Sequence, residues 1–106
     1  MGIVATIKKE RNIKIHLGFM IAVILCGFYF QLTKTEWLIC MVLFGLVISL
    51  ELVNTAIEAV VDLASPDYHE LAKLAKDAAA GAVLVSAIVA AIIGLSIFIP
   101  HLISRL

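Results

Sequence analysis

Apolar residues dominate three stretches of this sequence, and short polar segments separate them. The stretches cover approximately residues 15–32, 37–64 and 78–99. Each is long enough to supply the ~20 apolar residues that a helix needs to cross a bilayer. Because backbone polar groups cannot stay unpaired in lipid, we expect all three stretches to be helices. The pattern predicts an all-α membrane protein with three transmembrane helices in a single domain over residues 1–106.

The composition agrees with a membrane location and excludes one class of partner. Hydrophobic residues make up 63% of the 106 positions and charged residues only 15%. A soluble domain of this length has too little interior to bury so much apolar surface. The formal net charge is zero. Proteins that bind nucleic acids carry an excess of Lys and Arg to neutralise phosphates, so we expect no nucleic-acid partner.

The basic residues are distributed unevenly between the two sides of the predicted membrane. One side carries those of the N-terminal segment and of the second connection: Lys8, Lys9, Arg11, Lys14, Lys73 and Lys76. The opposite side carries Lys34 and Arg105. Since Lys and Arg are enriched in cytoplasmic connections, we expect the N-terminus and the second connection to be cytoplasmic and the C-terminus to lie outside.

Four polar residues interrupt the second apolar stretch at helical spacing. Glu51, Asn54, Glu58 and Asp62 follow one another at intervals of three, four and four, which places them on one face of a helix. An ionisable residue at the centre of a spanning helix costs about 3 kcal/mol on insertion scales, so a buried carboxylate there indicates a functional site. The alternative is that the helix ends near Ala56 and that the later acids lie in water.

The connection after the second stretch is dense in ionisable residues. We expect Ser65-Pro66 to stop the second helix and to start the next, because proline suits the first turn of a helix. Beyond it lie the residues that share a helix face, which are His69, Glu70, Lys73, Lys76 and Asp77. A solvated amphipathic turn has the same pattern. Next to the acidic face, however, carboxylates for a divalent cation and lysines for phosphate suggest a phosphoryl-transfer site. The sequence contains neither a P-loop nor a glycine-rich kinase loop.

Two segments give the chain a family resemblance. Residues 51–62 (ELVNTAIEAVVD) and 68–77 (YHELAKLAKD) closely resemble the signature of the prokaryotic diacylglycerol kinase family. These proteins are small integral-membrane lipid kinases with three spanning helices, and the resemblance extends from about Lys9 into the third helix. Residues 10–16 (ERNIKIH) and 62–68 (DLASPDY) resemble the Gram-positive branch, the undecaprenol kinase-like members. Members of that branch phosphorylate undecaprenol, the cell-wall carrier lipid, in preference to diacylglycerol.

The resemblance implies an ATP- and Mg²⁺-dependent transfer of phosphate to a lipid alcohol. It implies that Glu51 is the general base toward the lipid hydroxyl and that Asn54 orients it. Glu10 and Glu58 would hold the Mg²⁺ ion that bridges the ATP phosphates. The nucleotide site would consist of Asp67, Tyr68, His69, Lys76 and Asp77. Within that set, Lys76 would contact the phosphates and Asp77 would position the nucleotide or Lys76.

The resemblance also implies an assembly and a location. Members form homotrimers with active sites shared between neighbouring subunits, and they lie in the bacterial cell membrane with the active site on the cytoplasmic side. They carry an amphipathic N-terminal segment before the residues that match Lys8, Lys9 and Glu10. We therefore expect this chain either to be shortened there or to lack that surface helix. Four ionisable residues receive no role, namely His16, Asp62, Glu70 and Lys73.

Other functions are compatible with parts of the pattern. The nearest is a diacylglycerol kinase that makes phosphatidic acid, since no motif encodes the lipid preference in physical terms. A small cation- or proton-coupled transporter would also need a buried glutamate in a spanning helix. It would not require a connection dense in lysine, histidine and carboxylates. A structural or regulatory subunit would give no reason for acids along one buried face. The lipid kinase is therefore the expected function.

Overall fold

The structure, a computed structural model, describes residues 2–3 and 11–106. Residues 11–106 form three helices joined by short connections: α1 (Arg11–Phe30), α2 (Lys34–Ala64) and α3 (Glu70–Ser104). All three are long and apolar enough to cross a membrane. The predicted all-α fold class with three membrane-spanning helices is therefore confirmed for these residues.

The second and third helices are longer than the apolar stretches that predicted them. They contain 31 and 35 residues, which correspond to about 46 and 52 Å at a rise of 1.5 Å per residue. The hydrocarbon core of a bilayer is only ~30 Å thick, so both helices extend beyond it. The third helix begins at Glu70, eight residues before its apolar stretch, because residues 70–77 belong to the same helix. The lysines of that segment therefore have fixed positions on a helix.

The connection between α2 and α3 differs from its prediction. α2 ends at Ala64, where the N–H of Ser65 donates to the carbonyl of Val61. The sequence predicted that the next helix starts at Ser65-Pro66, and this prediction is wrong. Residues 65–69 form a loop, and His69 caps α3 by accepting a hydrogen bond at Nδ1 from the N–H of Leu71 over 3.0 Å. A side-chain acceptor at this position satisfies one of the free N–H groups of the first turn, so the helix begins after it.

The turn between α1 and α2 is tight and well capped. Gln31 adopts a left-handed conformation with φ of 55°. The N–H groups of Gln31 and Leu32 donate to the carbonyls of Phe28 and Gly27, which is the Schellman pattern that ends a helix. We call this part of the molecule, together with the C-terminus of α3, the Leu32 end. The opposite part, with the start of α1 and the loop 65–69, is the Ser65 end.

The interior of the molecule is a narrow stripe between the helices. The buried residues on α2 and α3 recur mostly at intervals of three or four; they are Cys40, Leu43, Val47, Glu51, Ala79, Val83, Ser86 and Ile97. Many large apolar side chains point outward instead, among them Phe19, Leu25 and Leu84. An isolated soluble domain would not expose so many, whereas a bilayer or neighbouring subunits can cover them.

Polar pairs join α2 to α3 at both ends. At the Leu32 end, Nε2 of His101 lies 3.0 and 3.1 Å from the two carboxylate oxygens of Glu36. At the Ser65 end, Nζ of Lys76 lies 2.5 Å from Oδ1 of Asp62. Glu36 and Asp62 are separated by about 39 Å along α2 at 1.5 Å per residue. This span exceeds the hydrocarbon thickness, so the two pairs suit the two polar boundaries of a bilayer.

Candidate active site

A buried carboxylate lies between those two pairs. Glu51 is only 2% exposed, on the face of α2 that turns toward the other helices. It lies about 16 Å along α2 from Asp62 at 1.5 Å per residue. Its Oε1 is 3.1 Å from Nε2 of His16, a half-buried residue of α1. A carboxylate removed from water needs a polar partner, and the imidazole of His16 lies within ion-pair distance of it.

One turn further along α2, an amide joins the acidic face. Nδ2 of Asn54 donates to Oε1 of Glu58 over 3.1 Å. This contact directs the amide toward Glu58, and the predicted role of Asn54 in orienting Glu51 stays a prediction. Oδ1 of Asn54 and Oγ1 of the adjacent Thr55 are buried, and neither has a hydrogen-bond partner among the residues that the structure describes. Buried polar atoms are nearly always paired in native proteins, so these two atoms keep unused capacity for a further hydrogen bond.

Two ion pairs order the residues at the start of α3. Lys76 donates to Asp62 across the α2–α3 contact, and Lys73 donates to Asp77 over 2.7 Å within α3. Exposed pairs of this kind contribute little to stability. Both lysines lie near the start of α3, which places their ammonium groups at the same end of the molecule as Glu58. Both ammonium groups are exposed and therefore accessible to an anion at this end.

The loop at the Ser65 end holds the remaining predicted nucleotide residues. Tyr68 is 79% exposed, and Asp67 accepts a hydrogen bond at its backbone oxygen from the hydroxyl of Ser65. His69 is exposed and uses Nδ1 for the cap of α3. The fold thus brings Asp67, Tyr68 and His69 to the same end as Lys76 and Asp77. No hydrogen bond or ion pair joins these three loop side chains to one another within the described part of the chain.

Of the two predicted metal ligands, Glu58 lies among the described residues. Glu10 lies outside the described residues. Within residues 2–3 and 11–106, no group of three or more His, Cys, Asp or Glu side chains is arranged to hold a metal ion. Glu58 offers carboxylate oxygens, which are the ligands that Mg²⁺ prefers. Mg²⁺ is usually held by one or two carboxylates together with substrate phosphates and water, and a site with Glu58 as one carboxylate fits that donor set.

An apolar cavity of about 470 Å³ lies between the three helices, and it reaches His16, the residue that contacts Glu51. Its wall includes His16 and Val47 near Glu51, and Gly94 and Phe98 nearer the Leu32 end. His16 is the polar residue of this wall, and the other lining residues are apolar. The cavity therefore suits a hydrocarbon chain whose polar group lies at the His16 end.

Sequence reasoning predicted the acids of this region and missed two of their neighbours. His16 received no role, although a histidine inside an apolar stretch is a signal of its own. Its partner is on another helix, so only packing identifies it. Thr55 was also missed, because a hydroxyl next to Asn54 has no distinctive pattern. The unpaired state of its Oγ1 is a property of the packed helices.

The known proteins to which this chain is similar agree with one another. A sequence profile described as "Prokaryotic diacylglycerol kinase" matches residues 1–98. The chain is 52% identical over 101 residues to "Undecaprenol kinase" of Bacillus subtilis, which covers 95% of this chain and 82% of that protein. It is 43% identical over 104 residues to "Diacylglycerol kinase" of Synechocystis sp., covering 97% of this chain and 59% of the relative. It is 53% identical over 47 residues to "Diacylglycerol kinase" of Escherichia coli strain K12, or 44% of this chain and 38% of that protein.

Proposed function

This chain belongs to the prokaryotic diacylglycerol kinase family, and we propose that it transfers the γ-phosphoryl group of ATP to undecaprenol in the bacterial cell membrane. Its relatives are named as lipid kinases, and the chain is a multi-pass membrane lipid kinase. The observation that carries the finer proposal is the buried carboxylate of Glu51 beside an apolar cavity. A lipid alcohol has a hydrocarbon chain for the cavity and a hydroxyl group for the carboxylate.

The choice of undecaprenol over diacylglycerol rests on similarity. The relative named undecaprenol kinase is 52% identical and aligns with 95% of this chain. The relative named diacylglycerol kinase in Synechocystis is 43% identical and aligns with a similar share of the chain. Diacylglycerol is therefore the second candidate acceptor, and its product would be phosphatidic acid.

In the proposed reaction, Glu51 is the general base. The lipid hydroxyl gives its proton to the Glu51 carboxylate while its oxygen attacks the γ-phosphorus of ATP. The bond between the γ-phosphorus and the bridging oxygen breaks, and ADP leaves. General-base catalysis by a positioned side chain contributes typically about 10²–10⁴-fold to a rate. Asn54 and its unpaired Oδ1 lie one turn away, where the amide can help to align the hydroxyl.

The proposed ATP site lies at the Ser65 end. Lys76 would bind the phosphates, and Asp67, Tyr68, His69 and Asp77 would surround the nucleotide. Glu58, together with Glu10, would hold Mg²⁺. When bound, Mg²⁺ neutralises charge on the phosphates and so supports phosphoryl transfer. By the positive-inside rule, we expect this end to lie in the cytoplasm, where ATP is available.

We also propose that the chain acts as a homotrimer with active sites shared between subunits. Large apolar side chains such as Phe19, Leu25 and Leu84 are exposed in the single chain and available for helix packing. Buried polar atoms of Asn54 and the adjacent Thr55 also keep hydrogen-bonding capacity that the described residues of the single chain do not use.

The test is lipid phosphorylation by the purified protein. The protein in detergent receives labelled ATP, Mg²⁺ and either undecaprenol or diacylglycerol, and the extracted lipid is counted. We expect label in undecaprenol in preference to diacylglycerol. The Glu51→Gln protein, purified in parallel, excludes a contaminating kinase, and Glu36→Gln at the Leu32 end is the matched control. Absence of label from both lipids would reject the proposal, and a preference for diacylglycerol would select the second candidate.

A further inference from the structure

We propose that His16 is a positioning residue for phosphoryl transfer, because its imidazole holds the Glu51 carboxylate in the orientation that receives the proton of the lipid hydroxyl. The inference rests on the proposed role of Glu51 and deepens it. Nε2 of His16 lies 3.1 Å from Oε1 of Glu51. The two residues come from α1 and α2, so the contact also fixes how the first helix meets the acidic face.

Because Glu51 is buried, its carboxylate depends on the contact with His16 to replace hydration by water. The Glu51 side chain is only 3% exposed, so bulk water cannot solvate it freely. Among the residues that the structure describes, His16 is the side chain that pairs with the Glu51 carboxylate. The proposed base is an ionised carboxylate, which only accepts hydrogen bonds, so in that state the proton of the 3.1 Å contact belongs to Nε2 of His16. One oxygen of Glu51 is then held by His16, and Oε2 is left to accept the proton of the substrate.

The position of His16 also connects the carboxylate to the apolar cavity. The His16 side chain is 24% exposed and forms part of the cavity wall. A hydrocarbon chain in the cavity would bring its terminal hydroxyl group to this wall, next to Glu51. The proton balance of the reaction is unchanged, since the hydroxyl proton passes to Glu51 and His16 keeps its own Nε2 proton throughout.

Two substitutions of His16 distinguish a role in positioning Glu51 by hydrogen bonding from a role in packing alone. His16→Phe keeps an aromatic ring of similar size and removes the donor, whereas His16→Gln keeps an N–H donor at about the reach of Nε2. Hydrogen bonds to charged groups are worth enough to change a rate by about tenfold to a hundredfold. We expect His16→Phe to lower kcat by that factor and to leave KM for ATP within about twofold. We expect His16→Gln to recover most of kcat.

The kinetic outcomes test the role of His16 and the role of Glu51 separately. An inactive Glu51→Gln together with a fully active His16→Phe would overturn the role of His16 and leave the proposed function intact. A fully active Glu51→Gln would overturn the base assignment and, with it, this inference. Equal losses in His16→Phe and His16→Gln would mean that ring packing, and not hydrogen bonding, is what matters, and would also overturn it.

A second measurement tests the contact without any lipid. The chain has three histidines, and ¹⁵N-imidazole NMR of the whole protein in detergent reports the protonation and hydrogen bonding of each ring. We expect Glu51→Gln to shift the Nε2 signal of His16 and to leave His101 unchanged. Glu36→Gln is the matched control, because it removes the carboxylate partner of His101 and should shift only that ring. A His16 signal that does not respond to Glu51→Gln would overturn the inference.

Discussion

The ammonium group of Lys76 donates a hydrogen bond of 2.5 Å to the carboxylate of Asp62, and this contact joins the start of α3 to the end of α2. Both side chains are substantially exposed. The Asp62 carboxylate therefore lies where a phosphate oxygen would bind to Lys76, the proposed phosphate-binding lysine. Nucleotide binding at this end therefore requires Lys76 either to exchange Asp62 for a phosphate or to contact both.

The first prediction concerns Lys76. Lys76→Gln removes the positive charge, so we expect KM for ATP to rise about tenfold to a hundredfold, the effect of losing a charge-assisted hydrogen bond. We expect kcat to change less, because Lys76 is proposed to bind the nucleotide and not to accept the proton. Steady-state kinetics with varied ATP and saturating undecaprenol measure both constants.

Two neighbouring variants serve as controls for Lys76. Lys73→Gln removes a similar ammonium group that is paired within α3, and we expect a smaller rise in KM. Asp62→Asn removes the carboxylate that competes with phosphate, so KM for ATP should stay equal or fall. If Asp62→Asn raised KM as much as Lys76→Gln does, the ion pair and not the free lysine would be the functional unit.

The second prediction concerns the general base. Glu51→Gln keeps the shape of the side chain and an oxygen that can accept from His16, and it removes the ability to take up a proton. We expect kcat to fall by about 10²–10⁴-fold with KM for ATP nearly unchanged. The control is Glu36→Gln on the same helix, which should retain kcat because Glu36 pairs with His101 far from the site. Equal kcat values for Glu51→Gln and the unsubstituted protein would remove Glu51 from the mechanism.

The third prediction concerns the Mg²⁺ requirement. Glu58→Gln keeps an oxygen that can accept from Nδ2 of Asn54 but removes the charge. We expect the Mg²⁺ concentration for half-maximal activity to rise at least about tenfold, since even outer-shell substitutions have effects of that size. Chelation with EDTA should abolish activity in both proteins. Glu70→Gln, on the exposed first turn of α3, is the control, and an Mg²⁺ titration identical for all three proteins would exclude Glu58 as a ligand.

The fourth prediction concerns the packing of α1 against α2. A Cβ atom at Gly27 would lie 2.5 Å from Cη2 of Trp37, whose ring is rigid and packs against Phe28. Gly27→Ala must therefore displace the indole, and we expect it to lower the free energy of unfolding by about 1–3 kcal/mol. Gly18→Ala on the same helix is the control, because its Cβ meets nothing within 4 Å. Chemical unfolding in detergent compares the two, and equal stability would contradict the close contact.

The candidate site was predictable from the sequence only in part. Glu51, Asn54 and Glu58 are identifiable because polar residues at helical spacing in an apolar stretch are costly to bury. The pairing of Lys76 with Asp62 and the contact of His16 with Glu51 were not predictable. Each joins residues from different helices, and the sequence alone does not state which faces of two helices meet.

The sequence by itself determined the all-α membrane architecture, since three long apolar stretches have no other stable form in a bilayer. It also determined that α2 carries acids along one face, because helical periodicity follows from spacing alone. Only the tertiary structure decided where α3 begins, through the cap at His69, and which residue meets the buried Glu51. The cap is a local contact between His69 and Leu71, whereas the contact with Glu51 depends on how helices pack side by side, and packing is set by the combined shape of the side chains between them.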